Sequence, residues 1–479
     1  MNIIRKAMCL AVTAAVVLSF FSSVLTVRAD SMMTAQEEVN AMNVGWNLGN
    51  TLDSYGTWIN NVTPQAVETC WGNPLTTQAM IQAVRDRGFN TIRIPVTWAQ
   101  FTDPEGNVDE AWMARVRQVV DWAMDAGLYV ILNVHHDTGE HGQDKVCWLI
   151  ADTVTYDQVH DRFANLWTNI ANEFKDYGDR LMFEGYNEML DMNNSWNAPT
   201  TGNGAYEAVN SFAQIFVDSV RATGGNNSSR NLIVNTYVAS ADPSVLSNFV
   251  LPEDSVSGHL IAEVHAYCPY QFCSAQGDSS YTSFDGNCQN AIDNTMNAVA
   301  SFSDTLGVPV IIGEFGVENQ NNDSDRASYT EYYMQRATER GIRCIWWDNG
   351  ISDYGGYAIL DRDSLSWNED IASALTDNAP EGSTSVISST ETAAPEVTET
   401  SAYEPSETVQ TSSSEVPAET APSAVNVNET SQISNNPNNS QSIHGKSGMR
   451  IILLILGALA VIAAYSGLFF LGRKNGKNE

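Results

Sequence analysis

The chain has 479 residues, with 57 acidic against 24 basic side chains and a formal net charge of −33. That balance excludes nucleic acid and other anionic polymers as partners, and a neutral substrate fits it.

In chain order, Arg5 and Lys6 precede an apolar run from Ala7 to Val27 that closes on small Ala29, the pattern of an export signal over residues 1–29. Removal would start the chain at Asp30 and take Arg5, Lys6 and Arg28 with it, so the net charge becomes −36. Cys9 lies at the front of the apolar run, which argues against a lipidated N-terminus.

Residues 30–378 read as one folded unit. Short apolar or β-branched runs at Met42–Asn47, Thr91–Pro95, Tyr129–Val134, Leu181–Tyr186, Leu232–Thr236, Leu260–His265, Pro309–Gly313 and Arg343–Trp347 predict strands, each followed by a polar loop. Amphipathic stretches between them, such as Thr77–Arg87, Glu110–Ala126, Val159–Lys175, Tyr206–Ala222 and Asp325–Arg340, are spaced as helices with one apolar face. Strands alternating with helices eight times over predict an α/β fold, a closed (β/α)8 TIM barrel. The rival, an open doubly wound nucleotide-binding sheet, lacks its glycine motifs: the Gly-Lys-Ser at 445–447 has Ser440 where a phosphate loop needs its first glycine.

Residues 379–448 are mostly Ser, Thr, Glu, Pro and Asn and cannot bury enough to fold, so they are expected to form a disordered linker. The uncharged run Ile451–Gly472 lies within an expected transmembrane helix at 449–472. Arg473, Lys474 and Lys477 in the tail at 473–479 put that tail in the cytoplasm and the folded unit outside the cell. Of the seven cysteines, Cys268, Cys273 and Cys288 cluster, and one disulfide among them is compatible with an oxidising compartment, as are free buried thiols.

A barrel gathers the C-terminal ends of its strands at one mouth, so polar residues there become neighbours. The first strand brings Trp46, Asn47 and Asn50, the second Arg93, the third His135, His136 and Asp137, and the fourth Asn187 and Glu188. His265 and Tyr267 follow the sixth, Glu314 the seventh, and Trp347, Asp348 and Asn349 the eighth. Glu188 and Glu314 each follow an apolar strand, where a charge without a purpose costs stability. Two facing carboxyls are what glycoside hydrolysis requires, one protonated to donate to the leaving oxygen and one ionised. Arg93, inside a strand, needs a carboxylate partner, and keeping Glu314 ionised is its natural role. A zinc reading of His135, His136, Asp137, Glu140 and His141 is disfavoured, because successive strand residues point opposite ways and no further ligand set stands out; no metal and no cofactor are expected. Trp46, Trp58, Trp71, Trp98, Trp148, Trp196, Trp346 and Trp347 fall in or beside the mouth loops, where rings would stack on sugar faces, while Trp112, Trp122 and Trp167 lie on helices and read as core.

At these residues the chain resembles glycoside hydrolase family 5, the cellulase family. The resemblance rests on Gly-Trp-Asn-Leu-Gly-Asn-Thr-Leu-Asp (45–53), Glu-Thr-Cys-Trp-Gly-Asn-Pro (68–74), Thr-Ile-Arg-Ile-Pro-Val-Thr-Trp (91–98) and Val-His-His-Asp (134–137). It continues through Tyr-Asn-Glu-Met (186–189), His-Ala-Tyr (265–267), Gly-Glu-Phe-Gly (313–316) and Trp-Trp-Asp-Asn-Gly (346–350). It implies a retaining endo-β-1,4-glucanase with Glu188 as acid/base and Glu314 as nucleophile, and Asn187 holding the sugar 2-hydroxyl. Arg93, His135, His265 and Tyr267 would surround the nucleophile. Trp46, Asn47, Asn50, Trp98, His136 and Asp348 would contact the glucan, with Trp347 or Trp346 as the sugar platform. Xyloglucan or β-mannan cleavage shares the reacting centre, and a surface glycan-binding protein on an inactive barrel is the alternative of another class. A monomer tethered by its C-terminal helix is expected.

Overall fold

The structure is a computed structural model that describes residues 32–274 and 281–380. The expected export signal, the linker beyond residue 380, the apolar anchor and the basic tail lie outside these residues. Among the described residues no helix is long and apolar enough to cross a membrane.

A closed barrel of eight parallel strands runs in sequence order. The strands are β1 (Val44–Asn47), β2 (Thr91–Ile94), β3 (Tyr129–Asn133), β4 (Leu181–Glu184), β5 (Leu232–Ser240), β6 (Leu260–His265), β7 (Val310–Phe315) and β8 (Arg343–Trp346). A short helix, α1 (Ala35–Ala41), precedes the first strand, and the others cover the outside: α2 (Gln78–Asp86), α3 (Glu110–Asp125), α4 (Thr153–Glu173), α5 (Ala205–Ala222), α6 (Gly286–Leu306), α7 (Asp323–Thr338) and α8 (Glu369–Asp377). Both faces of such a sheet are covered, which is why its strands read as short unbroken apolar runs. The helices start where the sequence supplies caps: the side chains of Thr77, Asp109, Asp152, Asp285 and Asn368 each accept a backbone N–H of the first turn.

Two apolar layers hold the fold. The larger lies between the sheet and the helices. The smaller fills the base of the barrel with Ile131, Met182, Ile233, Ile261, Ile311 and Ile345 and is plugged by Ala35 and Val39 of α1. Above that base the inward positions turn polar, with Asn47, Arg93, Asn133, Glu184, Asn235 and Glu263 all buried.

Several details differ from the sequence reading, among them β5, which runs on to Ser240 instead of ending at Thr236. The fifth unit has only a one-turn helix, Pro243–Leu246, before β6. Strand β4 stops at Glu184 rather than Tyr186: Gly185 N–H still bonds Ile233 of β5, but on the other side Asn187 N–H reaches Val134 beyond β3, one residue out of the Asn133–Glu184 register. Strand β7 continues through Glu314 to Phe315.

Candidate active site

A register shift sets up the mouth. Val264 pairs with Ile312 while His265 pairs with Glu314, so Gly313 is the extra residue of a bulge in β7. Bulges re-aim the side chains beside them. Phe315 stays in the outer core, and Glu314 turns toward the mouth with 5% of its surface exposed. Gly313 admits no side chain, since a Cβ would lie 1.7 Å from Glu263 Oε1.

Arg93 organises the polar interior. Its Nε and Nη2 donate to the two oxygens of Glu184 at 2.6 and 2.8 Å, and Nη1 donates to Glu314 Oε1 at 2.7 Å. Nη1 also donates to Asn47 Oδ1 at 3.0 Å and Nη2 to Asn187 Oδ1 at 2.8 Å. The anticipated contact with Glu314 is present, but the bidentate partner is Glu184, a residue the sequence reading passed over. Asn47 in turn donates from Nδ2 to the carbonyls of Gly313 and Trp346 at 3.0 and 3.2 Å, so it is a strut under Arg93 and not the sugar contact expected of it. Because Asn187 Oδ1 accepts from Arg93, its Nδ2 becomes the edge available as a donor.

His265 bridges the two carboxyls. Its Nδ1 lies 2.7 Å from Glu188 Oε1 and 3.6 Å from Glu314 Oε2, and its Nε2 lies 3.3 Å from Glu263 Oε1. Tyr267 donates its hydroxyl to Glu314 Oε2 at 3.0 Å. One oxygen of Glu188 and one of Glu314 lie within 4.8 Å of each other, and the Glu188 side chain is 20% exposed against 6% for Glu314.

The protonation states follow from burial and neighbours. Burial pushes the Glu314 carboxyl above its ordinary value, and His265 and Arg93 pull against it. Burial disfavours charge on His265, yet Glu314 and the hydrogen bonds to Glu188 and Glu263 push it up to about 10, so it is an imidazolium at neutral pH. Burial together with Glu314 drives Tyr267 well above the usual phenol range, which keeps its hydroxyl a donor. His135 is driven well below the ordinary histidine value by burial and by His136 and Arg93, so it is neutral. Val96 N–H donates to Asn133 Oδ1 at 3.0 Å and thereby turns Asn133 Nδ2 toward His135 Nδ1 at 3.1 Å, which leaves the proton of the neutral ring on Nε2.

A cleft of about 380 Å³ opens beside Glu188 and Asn187, walled by Tyr55, Trp71, His136 and Trp196. Tyr55 packs edge to face on both Trp71 and His136, which are tilted against each other, with centroids 5.2 to 5.6 Å apart. Trp347 is half-buried and stacks parallel to His135 at 5.8 Å. It approaches over Gly49, where a Cβ would lie 2.8 Å from the indole ring. Of the two candidate platforms the structure presents Trp347 at the surface, while Trp346 is fully buried and donates to the Tyr357 carbonyl.

Trp46 and Trp98 are corrected in the same way. Both are fully buried, Trp98 donating to the Asn133 carbonyl at 2.9 Å and Trp46 packing under Arg362. Asp348 is also buried and ties down its own loop, accepting from the N–H groups of Gly350, Ile359 and Leu360 and pairing with Arg362 at 2.9 Å. Asn50 sits at φ 57° in a turn whose N–H donates to Asp53. Glu184, Glu263, Asp53 and Tyr55 are the residues the sequence reading missed, and the first two carried a readable signal: a lone charge inside an apolar strand, the feature that singles out Arg93.

Asp53 brings a carboxylate within 4.8 Å of ring nitrogens of His135 and His136, so those two histidines do share a locality, contrary to the strand-parity argument. The Asp53 oxygens already accept from the N–H groups of Asn50 and Thr51 at 3.0 and 2.8 Å. All six described cysteines, Cys268, Cys273 and Cys288 included, are free thiols.

The cellulase model, glycosyl hydrolase family 5, matches residues 52–353. Endoglucanase A of Clostridium longisporum is 39% identical over 366 residues, 75% of this chain and 68% of its own length. Endoglucanase A of Ruminococcus albus is 39% identical over 357 residues, 72% of this chain and 93% of its own. Among solved structures, a family 5 enzyme of Prevotella bryantii B14 in complex with a xyloglucan tetradecasaccharide has a TM-score of 0.66 and 41% identity, covering 72% of this chain and 99% of its own. A broad-specificity endoglucanase of Ruminococcus champanellensis with bound cellotriose has a TM-score of 0.67 and 40% identity over 72% and 98% of the two chains. The chain therefore belongs to glycoside hydrolase family 5, the cellulase family, and is a glycoside hydrolase of the endoglucanase kind.

Proposed function

We propose that the enzyme is a retaining endo-β-1,4-glucanase that cleaves internal bonds of accessible β-glucans, with Glu188 as acid/base and Glu314 as nucleophile. The observation that carries this is the pair of carboxyls with oxygens within 4.8 Å, which favours the retaining spacing of about 5 to 5.5 Å over the inverting spacing of about 6.5 to 9.5 Å that leaves room for a water. Their environments differ as the two roles require. Glu314 accepts from Arg93 and Tyr267, which favours its ionised form, and the more exposed Glu188 borders the cleft that a leaving chain would occupy.

In the first step Glu314 attacks the anomeric carbon while Glu188 passes its proton to the departing glycosidic oxygen, leaving a glycosyl ester on Glu314. In the second, Glu188 takes a proton from water, which attacks the same carbon and frees Glu314. Asn187 Nδ2 and His135 Nε2–H are positioned as donors to sugar hydroxyls, and Trp347 supplies the flat apolar surface.

The cleft is open at the barrel mouth, and its walls are aromatic. An open groove suits internal attack on a long chain, and the broad-specificity and xyloglucan-bound relatives support a substrate range that includes xyloglucan beside cellulose-type and mixed-linkage glucan. The test is release of reducing ends by residues 30–378 from carboxymethyl-cellulose, barley β-glucan, xyloglucan and mannan. Glu314→Gln and Glu188→Gln should each lower kcat by at least about 10³-fold. Activity on mannan alone, or activity that survives Glu314→Gln, would overturn the assignment. We further infer, from the apolar runs at the two ends, export and anchoring at the cell surface; recovery of the full-length protein in culture fluid instead of membranes would contradict it.

A further inference from the structure

We propose that Glu263 is a positioning residue for this reaction, acting through His265 to keep the imidazole aimed between Glu188 and Glu314. The inference rests on the retaining reading above. Glu263 is wholly buried on β6, two residues before His265, and touches no groove surface. Its Oε1 lies 3.3 Å from His265 Nε2 and 3.6 Å from Arg93 Nε. The opposite edge of the ring, Nδ1, stands 2.7 Å from Glu188 and 3.6 Å from Glu314. An imidazole has two edges, so a partner fixed on one decides where the other points. Gly313 is an independent observation: a Cβ at that position would fall 1.7 Å from Glu263 Oε1, so the residue preceding the nucleophile lacks a side chain where Glu263 takes the space.

The reaction moves a negative charge. Before attack it is on Glu314 and Glu188 holds a proton; in the glycosyl-enzyme Glu314 is a neutral ester and Glu188 is the carboxylate. With Nε2–H held by Glu263, a small tilt lets Nδ1–H follow that charge from one oxygen to the other, and His265 gives up no proton in either step. The proton leaving Glu188 goes to the departing oxygen, and the one it regains comes from water. The ionisable groups facing Glu263 are Arg93 from β2, Glu184 from β4 and His265 on its own strand, with Glu188, Glu314 and Tyr267 beyond the ring. Burial, with Glu184 beside it, pushes Glu263 up to about 7, so Gln mimics its protonated form.

The experiment compares full-length wild type and Glu263→Gln by steady-state kinetics on barley β-glucan and by ¹⁵N NMR of labelled histidines. Wild-type His265 should carry protons on both nitrogens at pH 7. The variant should lower the His265 midpoint by at least about one pH unit and kcat by about 10- to 100-fold with KM within about twofold. A wild-type midpoint or a wild-type kcat in the variant overturns the proposal. So does a neutral His265 in the wild type, which requires no folded variant. A wild type that cleaves no glucan while His265 behaves as stated would instead sink the retaining reading.

Discussion

Arg93 shows how much one side chain can decide. Its guanidinium is fully buried and binds Glu184 from β4, Glu314 from β7 and asparagines from two other stretches, a fork that lysine's single ammonium cannot reproduce. The need for a carboxylate partner was legible from Arg93 alone, because a guanidinium in an apolar strand cannot stay unpaired. Which carboxylate was not legible, since Glu184 and Glu314 both satisfy it and only closure of the barrel brings them together. The same limit explains Trp46, Trp98 and Trp346. An aromatic residue at a strand end faces either the mouth or the helices, and residue type alone does not distinguish the two. Tyr267 offers a sharp test at this scale. Tyr267→Phe removes one donor to an ionised carboxylate, an interaction of about 1.5 to 3 kcal/mol, so kcat/KM should fall about 10- to 100-fold. Without that hydroxyl the ionised nucleophile is less favoured, its pKa rises, and the acid limb of the pH–rate profile should move to higher pH. An unmoved limb would remove Tyr267 from the support of Glu314.

At the level of elements, helices with strong formers and a clean apolar stripe, such as α3 and α5, were placed within a residue or so at each end. Helix α6 went unnamed because its Asn, Ser and Thr content lowers its intrinsic propensity; it is held by the stripe of Ile292, Met296, Val299 and Phe302 against the sheet. Helix α1 closes the base of the barrel and carries Glu38, fully buried against Asn231. Burial pushes the Glu38 carboxyl up to about 8, with the Asn231 hydrogen bond opposing. The folded state therefore holds a proton that the unfolded chain releases near the ordinary glutamate value. The sign follows: this contribution to stability is greatest below that value and is lost as pH rises toward about 8. Glu38→Gln should flatten the fall of Tm across that window and leave kcat unchanged. A Tm–pH slope equal to that of the wild type would show that α1 does not titrate.

For the molecule as a whole, the barrel was legible because each strand and its following loop announce themselves locally, while the ring that joins the first strand to the eighth is a global property that eight such units imply. The reduced fifth unit was not, since one turn of helix and a coil serve the same connecting purpose. The six described thiols carry a further consequence, about manufacture instead of catalysis. Burial pushes Cys147 and Cys268 up to about 12 and raises Cys70, Cys273, Cys288 and Cys344 as well, so little nucleophilic thiolate exists at neutral pH. Native protein should resist iodoacetamide at pH 7.5 and keep its Tm in excess dithiothreitol, whereas a Tm that drops in reductant would reveal a cross-link. A barrel stapled by packing and ion pairs, with no covalent link among the six described cysteines, can mature in a reducing cytoplasm as readily as outside it, which makes bacterial cytoplasmic expression of residues 30–378 a sound route to active enzyme.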